Sequence, residues 1–309
     1  MSIEFIVLTV LGLCLFEIIT SIDNAIINAE VLSTMGQRAR RWFLLYGFFV
    51  AVFMVRGLLP LLVVWASNPA LGFVGSLTAT FSSDPRVMEA VEKSSPILLI
   101  GGGVFLVFMF FHWLFLEPKN YGLFGEKFFH RQGAWFFAIV SILLAVIVWY
   151  ALKQNPLLAF GAVLGSSSFF IIHGFRQYAE EKEKLLMTGN MSDVAKIAYL
   201  EVLDASFSID GVIGAFAFTF SVPLILLGNG LGAMVLRKLT VSNIDRIKKY
   251  KFLKNGAMYS ILFLGIIMLM DSFGSHIPPW TSPIITFGAV GYFFVKSKLD
   301  LKNNENPVS

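Results

Sequence analysis

The sequence predicts an all-α, polytopic membrane protein of about nine transmembrane helices, built on an inverted repeat with a core of three plus three helices. Three observations carry this. First, 56% of the 309 residues are hydrophobic and only 14% are charged, against about 25% charged in soluble domains. Second, the apolar residues, 32 phenylalanines among them, fall into runs long enough to cross hydrocarbon. Third, one acidic motif occurs twice: Glu17-x-x-x-Ser21-Ile22-Asp23-Asn24 and Asp204-x-x-x-Ser208-Ile209-Asp210-Gly211. Each copy lies inside an apolar segment, where ionisable side chains are expensive and point to function by default.

A spanning helix needs about 20 mostly apolar residues, and nine runs qualify: about 3–33, 41–66, 96–117, 134–152, 156–177, 195–220, 222–241, 256–272 and 281–297. Pro60, Pro96, Pro156, Pro223 and the Pro278-Pro279 pair fall near proposed ends, where a missing amide donor is tolerable. Basic residues set the orientation, since cytoplasmic loops carry the excess of Lys and Arg. With the N-terminus outside, 20 of the 24 basic residues fall on one set of loops. Only Arg86, Lys93 and Lys153 fall on the other, with Arg56 inside the second helix. The N-terminus therefore reads as external and the C-terminus as cytoplasmic. Met-Ser-Ile-Glu carries no basic leader, so the first apolar stretch reads as a retained helix.

Between the spans, residues 67–95 read as a Gly/Ser/Thr-rich external loop, with a short surface helix over 84–93. Residues 178–193, rich in Glu and Lys, read as a solvated cytoplasmic linker, and 243–254 as a basic cytoplasmic loop facing anionic lipid. The tail, 299–309, reads as disordered. The resulting division is 1–118 for the first repeat half, 119–190 for linker helices four and five with their loop, 191–275 for the second half, and 276–309 for the last helix and tail. Helix one runs outward to inward and helix six inward to outward, so a motif shared by both implies inverted repeats. Such folds place their substrate near the bilayer midplane, often where helices are broken.

Acids in the two copies give an oxygen-only donor set: Glu17, Asp23, Glu201, Asp204 and Asp210, with the amide of Asn24. Such donors suit Mn²⁺, Mg²⁺ or Ca²⁺. At about 100° per residue, Glu17 and Asp23 do not share a face of a regular helix, nor do Asp204 and Asp210. They converge if the Ser-Ile-Asp segment unwinds, which Asn24 or Gly211 would ease. Alternatively, each helix offers one acid to a shared site. Five carboxylates exceed the charge of one divalent ion, so an empty site must hold protons, which makes proton exchange natural. Arg56 and Arg237 are the candidate charge partners, although Arg237, beside Lys238, serves equally as a topology charge. Glu30 and Asp271 read as interfacial. His112 and His173, set among aromatic residues, read as packing or hydrogen-bonding groups, and Cys14 as core. The run Gly101-Gly102-Gly103 reads as a close helix crossing. With one cysteine there is no disulfide framework and no Cys cluster for zinc or iron–sulfur. No base, nucleophile and oxyanion donor group together, so an enzyme is not expected, and no stretch suggests nucleic-acid binding.

The motifs resemble those of the TerC family of integral membrane proteins, and its DUF475 branch of unknown function in particular. The first family motif, an acid, three residues and Ser-x-Asp-Asn, is matched by Glu17 through Asn24. The second, Glu-x-x-Asp-x-x-Phe-Ser-x-Asp-Ser with Ala, Phe-Ala and Thr following, is matched by Glu201 through Asp210 and then by Ala215 to Thr219. The chain departs at Gly211, where the family usually has Ser and hence a hydroxyl. The family is similar to the LysE exporters, whose core is two inverted three-helix units. The resemblance implies export of metal ions, manganese in particular, with Glu17, Asp23, Asn24, Glu201, Asp204 and Asp210 as ligands. The expectation is thus a secondary transporter in a bacterial-type cell membrane that exports Mn²⁺ (or Ca²⁺ or Mg²⁺) against protons. It carries no prosthetic group, and an oligomer is compatible with it. The rival readings are an exporter of an organic solute such as an amino acid, and a non-transporting membrane scaffold.

Overall fold

A backbone in hydrocarbon must satisfy its own amides, and apolar runs of this length therefore become helices. The computed structural model describes residues 2–47, 49–50, 57–58, 62, 65, 85–188 and 192–305, and among them every regular element is helical. In chain order these are α1 (Ile3–Thr20), α2 (Ile22–Ser33), α3 (Gln37–Trp42, running into a π-helical turn, Phe43–Gly47) and α4 (Pro85–Leu116). Then come α5 (Glu126–Arg131), α6 (Trp135–Gln154), α7 (Pro156–Thr188), α8 (Asp193–Ala215), α9 (Val222–Lys248), α10 (Leu253–Ser272) and α11 (Thr281–Glu305). Among the described residues, five segments are long and apolar enough to cross a membrane: Ile3–Thr20, Ser95–Leu116, Trp135–Gln154, Pro156–Tyr178 and Leu253–Ser272. The described residues are thus all-helical in their regular structure, with apolar helices compatible with a multi-pass membrane protein. Most of the expected second span, including Arg56, lies outside the described residues, as do 67–84, the side chain of Asp23 and the last four residues.

Helix α4 is the centre of the packing, against α10 on one side and α7 on the other. Its rings Phe105, Phe108, Trp113 and Phe115 are buried together with Phe136 of α6 and Phe169 of α7. Helix α6 is the opposite case. It is strongly apolar, yet Phe137, Ile142, Trp149 and Tyr150 face outward, an apolar surface that only a membrane or a partner can cover. Glycine sets how closely α4 and α7 cross. A Cβ on Gly101 would lie 2.9 Å from the Gly161 carbonyl oxygen, and one on Gly165 would fall inside the backbone of Gly101. This small-xxx-small contact is the close crossing expected of the 101–103 glycines.

The segments expected on the cytoplasmic side meet at one end of the molecule. Lys254 pairs with Glu117 at 2.9 Å, Lys251 with Asp300 at 2.6 Å, and Lys296 donates to the Gly122 carbonyl. Glu126, fully enclosed there, accepts from the Gly122 amide (2.6 Å), Asn255 (3.0 Å) and Tyr259 (3.1 Å). Lys119 caps the carbonyls at the end of α4, donating to Trp113 and Leu114. At the opposite end Ser282 donates to the Ala217 carbonyl at 2.6 Å, joining two segments expected outside.

Five boundaries differ from expectation. Ser21 divides the first span into α1 and α2. Pro96 sits inside α4, which begins eleven residues earlier and absorbs the proposed 84–93 helix; one missing amide bond does not end a helix held by its neighbours. Helix α7 continues to Thr188 through the stretch expected as a linker. Helices α9 and α11 likewise run on to Lys248 and Glu305, into the first half of the expected basic loop and through much of the expected disordered tail.

Candidate functional site

The break at Ser21 sits inside the first motif copy. Ser21 has φ −97° and ψ 5°, outside the helical pattern, although the Ser21 amide still donates to the Glu17 carbonyl and the Ala25 amide to that of Ser21. Ser21 thus interrupts the helix between Thr20 and Ile22, while these two backbone bonds persist on either side of it. The second copy has no such break, since α8 continues through Asp210 and Gly211 to Ala215.

Beside the joint lies a cavity of about 70 Å³ between α1–α2, the π-helical turn, α8 and α9. Its polar lining is Glu17, Ser21, Asn24 and Asn28 from the first copy and its continuation, Asp204 from the second, and Arg237 from α9. The two copies touch directly: the Asn24 amide nitrogen donates to an Asp204 carboxylate oxygen. Ser21 Oγ donates to Glu17 Oε1 at 2.8 Å, and Glu17 is fully enclosed. The Oδ1 atoms of Asn24 and Asn28 are buried without a hydrogen-bond partner. Arg237 donates to the Phe43 carbonyl at 2.5 Å, and its charge acts on Asp204 and Glu201. Arg237 thus lines the cavity, within reach of the acids of the second copy.

Glycines make room for Glu17. A Cβ on Gly232 of α9 would lie 2.7 Å from Glu17 Cβ, and one on Gly211 of α8 would lie 2.8 Å from Glu17 Oε2. The hydroxyl missing at 211 is thus space taken by a carboxylate. Glu201 approaches the π-helical turn, where a Cβ on Gly47 would collide with its Oε1.

Asp210 stands apart from the cavity. Its Oδ2 accepts from Arg176 Nη2 of α7 at 2.7 Å, with both side chains largely buried. Among the described residues, no three His, Cys, Asp or Glu side chains group so as to hold a metal ion. The cavity instead combines Glu17 and Asp204 with the amide oxygens of Asn24 and Asn28, a mixed carboxylate and carbonyl set of the kind that hard cations accept. Of the six expected ligands, Glu17, Asn24 and Asp204 line one cavity. Glu201 lies at its margin, Asp210 in a separate ion pair, and the Asp23 side chain outside the described residues.

Residues 22–305 match the family described as "Protein of unknown function (DUF475)". The chain belongs to the DUF475 family. No curated protein and no solved structure matches it. The DUF475 match takes in Asn24 and the whole second motif, while Glu17 precedes it.

Two polar residues of this DUF475 protein, one beside the cavity and one lining it, carry no clear mark in the sequence. Arg176 counts among the loop charges by sequence, yet it lies within the apolar Pro156–Tyr178 segment and pairs with Asp210. Asn28 lies one helical turn beyond Asn24, and that i, i+4 spacing was the available signal.

Proposed function

We propose that this protein is a secondary transporter that moves a divalent cation, Mn²⁺ in preference, out of the cytoplasm in exchange for protons. The observation that carries the reading is the Asn24–Asp204 hydrogen bond inside a cavity that also holds Glu17. It joins the two copies of an acidic motif across helices far apart in sequence. Two buried amide oxygens without donors face the same region, and buried acceptors of that kind favour a cation or a donor as occupant. At about 70 Å³ the cavity has room for an ion with a few waters. It is far below the roughly 300 Å³ where small-molecule sites begin, which weighs against an organic solute. The TerC resemblance supports the choice of metal and the outward direction. Nine spans arranged as inverted halves, with the N-terminus outside a cell membrane, suit this reading. So does the meeting of the basic segments at one end.

The test is transport by purified protein in liposomes. Wild type should carry Mn²⁺ down its gradient with a matching change in lumenal pH, and Asp204→Ala and Asn24→Ala should each lower the flux at least about tenfold. Undiminished flux in both variants, or none in wild type, rejects the proposal.

A further inference from the structure

A second polar cluster, distinct from the cavity, runs from the interior to the surface through two histidines. His112 on α4 and His173 on α7 face each other with ring centroids 3.8 Å apart. His112 Nδ1 lies 3.3 Å from Glu117 Oε1, and Glu117 Oε2 pairs with Lys254 of α10 at 2.9 Å. One turn beyond His173 on the same helix, Arg176 holds Asp210. Asp210 is followed by Gly211, whose backbone abuts Glu17 in the cavity wall. Side-chain exposure rises along this line, from 10% at Asp210 and 12% at His112 to 30% at Glu117 and 34% at Lys254.

Aromatic rings wall the histidines. Phe169 stacks on His173 at an interplanar angle of 4°, and Phe136 of α6 stands edge-on to His112. Neither ring accepts a proton, so transfer is confined to the imidazoles and the carboxylate. The charged groups acting on this pair are Glu117 and Arg176, and Glu117 is in turn faced by Lys254 from α10 and by Lys119. With no third His, Cys, Asp or Glu placed to complete a metal site among the described residues, the arrangement suits protons better than a metal.

We propose that His112 and His173 form a proton relay between the surface pair Glu117–Lys254 and the interior beside Arg176, supplying the proton arm of the exchange. Each imidazole takes a proton on one ring nitrogen and releases one from the other. Return to the starting tautomer restores the relay, and nothing is consumed. The inference rests on the transport reading above and gives protons a route separate from that of the metal.

The experiment compares wild type, His112→Gln/His173→Gln and Glu117→Gln in liposomes by two assays. One follows lumenal pH while Mn²⁺ runs down its gradient; the other follows exchange of labelled for unlabelled Mn²⁺ at equal pH, which needs no proton. The double variant is expected to lose about tenfold or more of the proton-coupled signal while keeping metal-for-metal exchange within twofold. Glu117→Gln, at the exposed end, should slow the same signal and covers the case in which the double variant does not fold. Full proton coupling in either folded variant, or loss of both modes together, overturns the relay. Wild type that exchanges Mn²⁺ without moving protons overturns it too, and leaves metal transport standing. Wild type that moves no Mn²⁺ by either assay instead removes the transport reading, and the relay with it.

Discussion

Replacing Gly165 by Ala is the sharpest test of how α4 and α7 are held together. A Cβ there would lie 2.1 Å from the Gly101 carbonyl oxygen and 2.8 Å from its Cα. Ordinary contact begins at 3.4 Å, so the helices must separate by about 1.3 Å (3.4 less 2.1). The obstacle is backbone, and no side-chain rotation relieves it. Such a gap forfeits about half or more of the dispersion energy across the crossing, where Phe169 meets Phe105 and Phe108. Overpacking costs about 1–3 kcal/mol, against a gain of about 1 kcal/mol in helix propensity. Gly174, on the same helix, has nothing within 4 Å of its added Cβ, so Gly174→Ala keeps the propensity gain alone. The two variants should therefore move in opposite directions from wild type. Thermal unfolding of detergent-solubilised protein, at one heating rate because membrane proteins seldom unfold reversibly, ranks them directly. Gly165→Ala as stable as Gly174→Ala would refute the close backbone crossing.

Three further outcomes are expected. Glu126→Ala strands the Gly122 amide, Asn255 and Tyr259 and should cost about 3 kcal/mol or more. Tyr259→Phe removes one donor and should cost nearer 1 kcal/mol; equal losses in the same unfolding assay would contradict this. Burial lowers the Lys119 ammonium to about 8, outweighing the opposing pull of Glu126 and Glu117. Its unfolded value is higher, so the folded chain binds fewer protons between about pH 8 and the ordinary lysine range. This group's contribution to stability therefore rises with pH across that window. A ¹³C-methyl-lysine resonance assigned to Lys119 should titrate near 8, and an ordinary lysine midpoint would count against it. Gly211→Ser should displace the Glu17 carboxyl and destabilise by about 1–2 kcal/mol. Most of that penalty should vanish in a Glu17→Ala background, and an additive double-mutant cycle would rule out the contact.

The membrane class and much of the helix inventory were legible because hydrocarbon imposes a length and a composition that survive any detail of packing. The same holds for the glycines at 101–103, whose only value in an apolar helix is close approach. Boundaries set by charged residues were not legible. The Glu/Lys stretch after Tyr178 and the basic stretch before Tyr250 are polar enough to read as loops, yet both consist of good helix formers and continue α7 and α9. Within the motifs, residue type announced a polar site, but which acids share it depends on rotation and tilt that no spacing encodes. Asp204 faces Asn24, whereas Asp210, six residues on, turns toward Arg176. Arg176 itself was hidden by position: a cation at the end of an apolar run looks like an anchor until its partner is seen.

The two motif copies differ mechanically as well as in sequence. An unbroken helix such as α8 is one continuous rod, whereas α1 and α2 are two, interrupted at Ser21. The hydroxyl that holds Glu17 belongs to the interrupting residue itself. The first copy therefore ties its acid to a joint in the backbone, and the second has no such joint.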